Sequence, residues 1–318
     1  MDGRLRSAFE TAFPDQEVTN VGSTGPSWNE RNRTVEVEFT DGKTVYLKVA
    51  LDGDGSRIAR ERAVIGYVGA TDSVPVPKVL SSDPDGPVPY LVTEPVTGQP
   101  FLDSWTGANT EERATLARQV GRSLASLHDR WFDDHGHVVD GGADGLELRT
   151  GSWTDVLVDT IGKMRGLAPA DRFDHHFDEV IAAVEENREL LDDAPAALLH
   201  GDPAKPNCFL DDGEVGLLDW EIAHVGDPAR DLHRVRDQQI DSLRTDGPER
   251  LVTALYEGYR DRAGELPDGF EERRPVYEAV RHLGTSGFFE RVVEYVDESP
   301  DELERWVQAE MDRRLAEL

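Results

Sequence analysis

Three oxygen-bearing side chains near residue 200 have the types and the spacing that phosphoryl transfer requires. Asp202, Asn207 and Asp219 lie in the segment 199–221, LHGDPAKPNCFLDDGEVGLLDWE. Transfer of a phosphoryl group needs a carboxylate that accepts the proton of the attacking hydroxyl, and hard oxygen ligands that hold Mg²⁺. The sequence therefore predicts Asp202 as the catalytic base and Asn207 and Asp219 as magnesium ligands.

Short apolar runs around these residues predict where each one lies. Residues 196–200 lead into a loop, and two further runs, 208–210 and 215–219, flank the Asp- and Gly-rich turn 211–214. This pattern predicts a loop, a strand, a hairpin turn and a second strand. The base and the amide then bracket the loop, and the second metal ligand ends the later strand.

The whole segment resembles the aminoglycoside phosphotransferase family of small-molecule kinases. The resemblance is carried by His-Gly-Asp at 200–202, where protein kinases have His-Arg-Asp, and by Asp-Trp-Glu at 219–221. Each piece alone is more often structural, but their order and intervals together favour a kinase. The resemblance implies an α+β, protein-kinase-like bilobal fold with a small antiparallel sheet in its N-terminal lobe. Its divisions are the N-terminal lobe 1–93, the hinge 94–98 and a mainly helical lobe 99–318 that holds the catalytic loop and the acceptor site.

Lys48 is a cation in an otherwise apolar strand, Val-Tyr-Leu-Lys-Val at 45–49. A charge in such a strand is costly unless it is paired, although a lysine that reaches the surface is the alternative. In kinases this strand supplies the lysine that holds the α- and β-phosphates and pairs with a Glu of the next helix. Here that helix is predicted at 56–68, and Glu61 is the natural partner of Lys48.

Further nucleotide contacts are predicted in a Gly- and Ser-rich turn and in the hinge. The turn 22–29 has two glycines where kinases have three, and Ser23, Thr24 and Ser27 are its candidate phosphate contacts. In the hinge, a proline at position 95 has no N–H to donate to adenine. We therefore expect the Val96 N–H as donor and the carbonyl of Thr93 or Glu94 as acceptor.

Several other features are assigned to structure. A helix is predicted over 109–131 with Thr110 as its cap, and residues 133–151, which contain two histidines, are predicted to form a solvated loop and not a zinc site. Asp231 is expected to brace the catalytic loop by family resemblance. Lys205 follows the base by three residues, one later than in protein kinases, and from there it could reach the γ-phosphate.

The charge of the chain limits its partners. The 318 residues carry a net charge of −30, and the only lysines are at 43, 48, 78, 163 and 205. Such a surface repels nucleic acids and anionic membranes. Acidity spread over a lysine-poor chain is also typical of proteins from salt-accumulating halophiles. The lone cysteine and the lack of a long apolar run predict a soluble cytoplasmic protein with no nucleic-acid or membrane partner.

Together these features predict an ATP-dependent phosphotransferase that acts on a hydroxyl of a small molecule. Aminoglycoside-like compounds, amino alcohols and sugar derivatives are the expected acceptors, and GTP is an open alternative to ATP as donor. The second hypothesis is a catalytically silent, kinase-like protein that binds or senses a nucleotide. The presence of a candidate base argues against it, since a nucleotide binder has no need of one.

Overall fold

The computed structural model describes residues 3–23 and 31–318. The N-terminal part is an antiparallel sheet of five strands in the order β1-β2-β3-β5-β4, flanked by two helices. The Asp-Gly pair between β2 and β3 forms the tight turn expected there, with Gly42 at φ +83°. The elements are α1 (Gly3–Ala12), β1 (Val18–Ser23), β2 (Asn32–Phe39), β3 (Thr44–Ala50), α2 (Ser56–Thr71), β4 (Val79–Asp83) and β5 (Tyr90–Thr93).

The two faces of this sheet have different partners. On one face the apolar side of α1, including Leu5 and Phe9, packs on alternate residues of β2 and β3 and forms a small separate core. Helix α2 instead contributes Ile58, Val64 and Val68 to the large core of the C-terminal part. The helix that carries Glu61 is therefore built into both halves of the molecule.

The C-terminal part is mainly helical and contains two small antiparallel sheets, in the orders β11-β10-β6 and β8-β7-β12-β9. Its strands are β6 (Gln99–Pro100), β7 (His135–Gly142), β8 (Gly145–Gly151), β9 (Ala197–Leu199), β10 (Cys208–Asp211), β11 (Glu214–Leu217) and β12 (His224–Gly226). Its helices are α3 (Phe101–Gly107), α4 (Thr110–His128), α5 (Trp153–Arg165), α6 (Asp174–Glu186), α7 (Arg188–Asp192), α8 (Pro228–Val235), α9 (Glu249–Ala263), α10 (Arg274–Gly287), α11 (Phe289–Tyr295) and α12 (Pro300–Leu315).

Two local predictions are wrong. The cap of α4 is Asn109 and not Thr110, because the Asn109 side chain accepts hydrogen bonds from two backbone N–H groups and its own backbone N–H donates to the Glu112 carboxylate. Residues 133–151 are largely a hairpin, since β7 pairs with β8 on one side and with β12 on the other. The polar, Gly-rich composition of this segment did not indicate β7, whose partner β12 lies far along the chain.

The long helices α4 and α9 pack closely where glycines face the opposite backbone. A Cβ on Gly258 would overlap the carbonyl oxygen of Arg118, and a Cβ on Gly121 would overlap that of Leu255. These two contacts set the spacing of the central helix pair. In the described residues no helix is both long and apolar enough to cross a membrane.

Candidate active site

Lys48 lies at the centre of an ion cluster between the N-terminal sheet and the C-terminal part. Its Nζ is 2.6 Å from Glu61 Oε2, 2.5 Å from Asp219 Oδ1 and 2.8 Å from Glu221 Oε2. The lysine is 8% exposed, so it is not a surface lysine. The structure thus brings the predicted lysine, its predicted helix partner and one predicted metal ligand together.

Helix α2 is anchored so that Glu61 faces this cluster. The neighbouring Arg60 donates from Nε to Val138 O of β7 at 2.9 Å and from Nη1 to Glu221 O at 2.7 Å. Asn32 of β2 also donates to the Glu221 carboxylate. The cluster is held from the sheet, from α2 and from the segment after β11.

Three carboxylates share one ammonium, and the pKa values reflect this imbalance. Burial raises the pKa of Glu61 to about 7, and the charges of Asp219 and Glu221 add to that effect against the attraction of Lys48. Burial alone would lower the pKa of Lys48, but the three surrounding carboxylates raise it well above its ordinary value. Lys48 therefore stays charged, and burial accounts for the raised pKa of Glu61.

The loop 200–207, here called the Asp202 loop, is held in place by buried polar contacts with α8. Asp231, fully buried on α8, accepts hydrogen bonds from the N–H groups of His200 at 2.7 Å and Gly201 at 3.0 Å. Gly201 has φ +85°, a conformation that favours glycine. The His200 ring donates from Nε2 to Leu218 O at 2.9 Å and accepts from the Asp202 N–H at Nδ1. His200 thereby connects the Asp202 loop to Leu218, the residue that follows β11.

The two oxygens of the Asp202 carboxylate accept different numbers of hydrogen bonds. Oδ1 accepts from Gln238 Nε2 at 2.7 Å and from Arg234, whose Nη2 is at 2.8 Å and Nε at 3.2 Å, whereas Oδ2 accepts only the Asn207 amide at 3.2 Å among the described residues. Burial raises the pKa of Asp202, but Arg234 and Gln238 outweigh it and lower the pKa below the ordinary value. Oδ2 therefore has more acceptor capacity left than Oδ1.

Asn207 and Asp219 present oxygen atoms from neighbouring segments. The Asn207 amide nitrogen donates to Asp202 O at 2.9 Å as well as to its carboxylate, which leaves the amide oxygen of Asn207 turned away from Asp202. The backbone of Asn207 is tied to Leu218, the residue before Asp219. Asp219 has φ +65°, a strained backbone for a non-glycine residue, and its side chain is 46% exposed.

The predicted hinge segment contains the expected donor. Glu94 donates its N–H to Lys78 O, and its carboxylate pairs with the Lys78 ammonium at 3.1 Å. Among the described residues the Val96 N–H has no hydrogen-bond acceptor. The next turn is pinned because Thr97 Oγ1 donates to Asp211 and because a Cβ on Gly98 would overlap Leu210 O.

The Gly-rich turn is only partly within the described residues. Ser23 ends β1, opposite Val35 of β2, and is exposed. Thr24 and Ser27 lie outside the residues that the structure describes. All three remain predicted phosphate contacts.

Lys205 differs from the other four lysines, each of which lies within 4 Å of a carboxylate oxygen. Within residues 3–23 and 31–318 it has no such partner, and its Nζ lies 5.1 Å from the centre of the Trp105 ring. Burial and the nearby charge of Arg113 lower its pKa. The Asp202 loop thus carries a partly buried ammonium group with no carboxylate partner in the described part of the chain.

Sequence reasoning missed Glu221, Arg234 and Gln238 as members of this site. A signal for two of them existed: Asp231, Arg234 and Gln238 are spaced i, i+3 and i+7, so they share one helix face with the residue expected to brace the loop. A π-helical turn, Arg236–Ile240, follows α8 and adjusts that face. The buried Cys208 has its thiol pKa raised by burial to about 12 and takes no part.

Most of the chain matches one known protein family. The model of the phosphotransferase enzyme family matches residues 24–276, which is well over half of the sequence. The chain belongs to the phosphotransferase enzyme family. This membership confirms the predicted resemblance and the prediction of an enzyme, a small-molecule phosphotransferase. A comparison with curated protein sequences gives no match.

Solved structures share the fold of this phosphotransferase family member. A thermostable mutant of aminoglycoside phosphotransferase APH(4)-Ia in its apo form has a TM-score of 0.63 at 16% identity, covering 98% of each chain. Aminoglycoside-3'-phosphotransferase of type VIII has a TM-score of 0.63 at 23% identity, over 88% of this chain and 99% of that one. A candidate fructosamine-3-kinase from Thermobifida fusca YX-ER1 has a TM-score of 0.59 at 18% identity over both full lengths. These likenesses confirm the α+β, protein-kinase-like bilobal fold.

Proposed function

We propose that this phosphotransferase moves the γ-phosphoryl group of ATP to a hydroxyl group of a small molecule. The observation that carries the proposal is the contact of Lys48 with Asp219, because it brings the predicted phosphate-binding lysine to the predicted metal ligand. The related APH(4)-Ia structures include ternary complexes of that protein with ADP or AMP-PNP and hygromycin B. By analogy we assign the nucleotide to the cleft between two lobes, residues 1–93 and residues 99–318, which the hinge 94–98 joins.

Asp202 is assigned as the base. Its Oδ2 has free acceptor capacity and is oriented by the Asn207 amide, so it can orient an acceptor hydroxyl and take its proton as the phosphorus–oxygen bond forms. A carboxylate with a lowered pKa is a weak base, so its main contribution is positioning of the nucleophile.

Asn207 and Asp219 are assigned as the residues that would hold Mg²⁺. Their chemistry fits this role. The Asn207 side chain uses its amide nitrogen to donate to Asp202 O, so its amide oxygen can serve as a metal ligand, and the Asp219 carboxylate is half-exposed. Both are the hard oxygen donors that Mg²⁺ prefers. When bound, Mg²⁺ would neutralise charge on the phosphates of the nucleotide.

Cations of the chain itself are assigned to the phosphates. Lys48, oriented by Glu61, holds the α- and β-phosphates, and Lys205, which has no carboxylate partner in the described residues, holds the γ-phosphate. Ser23, Thr24 and Ser27 are assigned to the phosphates with them. In the hinge, the Val96 N–H and the carbonyl of Glu94 or Thr93 bind the purine. Loss of nucleotide affinity in Val96→Pro tests the hinge assignment, and an unchanged Kd would remove it.

The experiment that tests the function is a screen of small alcohols for ADP release. Aminoglycosides, amino alcohols and sugar derivatives are each incubated with Mg-ATP in molar KCl, since the acidity of the chain predicts a need for salt. Phosphorus NMR identifies the phosphorylated hydroxyl. Asp202→Asn should lower turnover by at least about 10²-fold, while the Kd for Mg-ATP changes little. Repeating the assay with GTP decides the donor.

One observation favours the alternative, a silent nucleotide sensor: Asp202 Oδ1 is already occupied by Arg234 and Gln238. A protein of that kind would bind Mg-ATP and show no transfer to any alcohol and no ATP hydrolysis above background. Turnover that is lost in Asp202→Asn would exclude it.

A further inference from the structure

The side of Asp202 that faces helices α8 and α10 carries positive charge in a strongly acidic chain. Arg234 binds Asp202 Oδ1 through Nε and Nη2, and its Nη1 makes no hydrogen bond with the described residues. The side chain is 23% exposed, so it is in part accessible to solvent. Arg234 can therefore bind a second anion while it contacts Asp202.

Arg281 on α10 is a second guanidinium with little compensation. Its one ion-pair partner among the described residues is Asp237, at 3.4 Å from Nε to Oδ2, and this buried Nε makes no hydrogen bond there. Burial lowers the pKa of Arg281; the charge of Arg234 lowers it as well, while Asp237 and Asp202 raise it. Asp237 immediately precedes Gln238, which binds Asp202, and α10 packs on α8, so Arg234 and Arg281 lie on adjoining helices near Asp202.

The local backbone makes room for this arrangement. A Cβ on Gly284, one helical turn after Arg281, would lie 2.8 Å from Arg281 Nη1, so the glycine leaves space for the guanidinium. The π-helical turn Arg236–Ile240 places Gln238 against Asp202 and leaves Gln238 Oε1 buried without a hydrogen bond in the described part of the chain. π-helical turns of this kind are frequent at functional sites.

These contacts have a consequence for the acceptor. When Asp202 takes the proton of a hydroxyl, it loses the charge that compensates Arg234, and two guanidinium groups then face the acceptor. An ammonium group on the acceptor would be repelled there, whereas an oxyanion would form charge-assisted, bidentate hydrogen bonds with the open guanidinium edges.

We propose that the acceptor of this phosphotransferase is an anionic alcohol whose carboxylate or phosphate group is bound by Arg234 and Arg281. The proposal rests on the proposed function. It makes a cationic acceptor of the aminoglycoside type a poor substrate of this chain. The phosphoryl group passes from ATP to the hydroxyl oxygen, ADP leaves, and the hydroxyl proton passes to Asp202.

The test uses alcohols in matched sets that differ only in one charged group. D-glycerate, glycerol 3-phosphate, glycerol and serinol form one set, and pantothenate and panthenol form another. The anionic members should have a kcat/KM at least about tenfold above their neutral or cationic partners. Higher kcat/KM for the neutral or cationic members overturns the proposal and leaves the proposed function standing. The glycerate and glycerol 3-phosphate arms distinguish a carboxylate from a phosphate.

The variant Arg281→Gln should lower the ratio of kcat/KM for anionic over neutral acceptors by about tenfold or more. Arg274→Gln is the matched control, because Arg274 lies on the same helix with similar exposure and pairs with Glu278. An unchanged ratio in Arg281→Gln, with the variant folded by circular dichroism, contradicts the proposal.

A binding measurement does not depend on turnover. Calorimetry with Mg-AMP-PNP present should detect binding of glycerol 3-phosphate or D-glycerate to the wild type and weaker binding to Arg281→Gln. Failure of both anions and of pantothenate to bind the wild type overturns the proposal. Absence of ADP release from every alcohol, together with measured anion binding, would instead contradict the proposed function.

Discussion

Lys48 and Asp219 are in direct contact, with Nζ 2.5 Å from Oδ1, although 171 positions separate them in the sequence. Glu61 and Glu221 contact the same ammonium, so three carboxylates surround one buried cation. A phosphate group entering this cluster meets an excess of negative charge. We therefore predict that a nucleotide binds here only together with a further cation such as Mg²⁺, which would compensate these carboxylates.

Replacing Lys48 by Met should destabilise the protein and abolish nucleotide binding. Three carboxylates would lose their shared counter-charge, and breaking a buried ion pair in this way costs about 3–5 kcal/mol. Urea unfolding and calorimetry with Mg-ATP measure the two effects. Lys78→Met is the control, because the Lys78–Glu94 pair is exposed and contributes about 0–1 kcal/mol. A Lys48→Met protein that binds Mg-ATP with the wild-type Kd would remove Lys48 from the site.

Asp231→Asn should weaken both the fold and turnover. The buried carboxylate accepts two backbone N–H groups of the Asp202 loop, and an amide can accept at only one of its two polar atoms. An unsatisfied buried N–H costs about 1–3 kcal/mol. Urea unfolding should show this loss, and kcat should fall with little change in the Kd for Mg-ATP. Asp246→Asn, at a side chain that is 84% exposed, should behave as the wild type; equal stability of Asp231→Asn would contradict the bracing role.

The stability contributed by His282 should depend on pH. Burial lowers the pKa of this histidine to about 4, while its Nε2 donates to Val307 O at 2.9 Å. The unfolded chain binds the proton more tightly, so the contribution is full above about pH 6.5 and is lost as pH falls toward 4. The difference in free energy of unfolding between the wild type and His282→Gln should shrink by up to about 1.4 kcal/mol per pH unit in that window. A difference that is constant from pH 7 to pH 4.5 would contradict this prediction.

Two glycine-to-alanine changes should have opposite effects. Gly258→Ala forces α4 and α9 apart, because its Cβ overlaps the Arg118 carbonyl, and should cost about 1–3 kcal/mol or more. Gly162→Ala in α5 has open space for its Cβ and should stabilise the protein by about 0.5–1 kcal/mol through helix propensity. Thermal unfolding of both variants measures these changes. A stable Gly258→Ala protein would mean that the two helices do not pack as described.

The sequence predicted the site best where function depends on short intervals. Asp202 and Asn207 share one loop, and Lys48 and Glu61 lie on consecutive elements, so local pattern and resemblance were sufficient to propose them. Arg234 was missed because its spacing from Asp231 indicates only a shared helix face; the contact of that face with Asp202 is a tertiary contact that the spacing alone does not predict. The roles of all these residues in catalysis remain predictions.

The errors in the fold have a similar cause. The β7–β8 hairpin has few alternating apolar residues, and β7 is completed by β12, which follows it by about 90 residues. Strand pairing between such distant segments cannot be recognised from a short stretch of sequence. The cap of α4 was misplaced by one residue because Asn109 and Thr110 both have the side-chain chemistry of a cap, and only the hydrogen bonds decide between them.

The anchoring of α2 through Arg60 bears on how the cleft can open. Because Arg60 donates to Val138 O and Glu221 O, the helix that carries Glu61 is held to the larger half of the molecule, whereas Lys48 belongs to the N-terminal sheet. A cleft that opens by displacing the sheet would lengthen the distances from Lys48 to Glu61, Asp219 and Glu221 together. Entry and exit of a nucleotide would then coincide with the breaking and remaking of all contacts of one ammonium group.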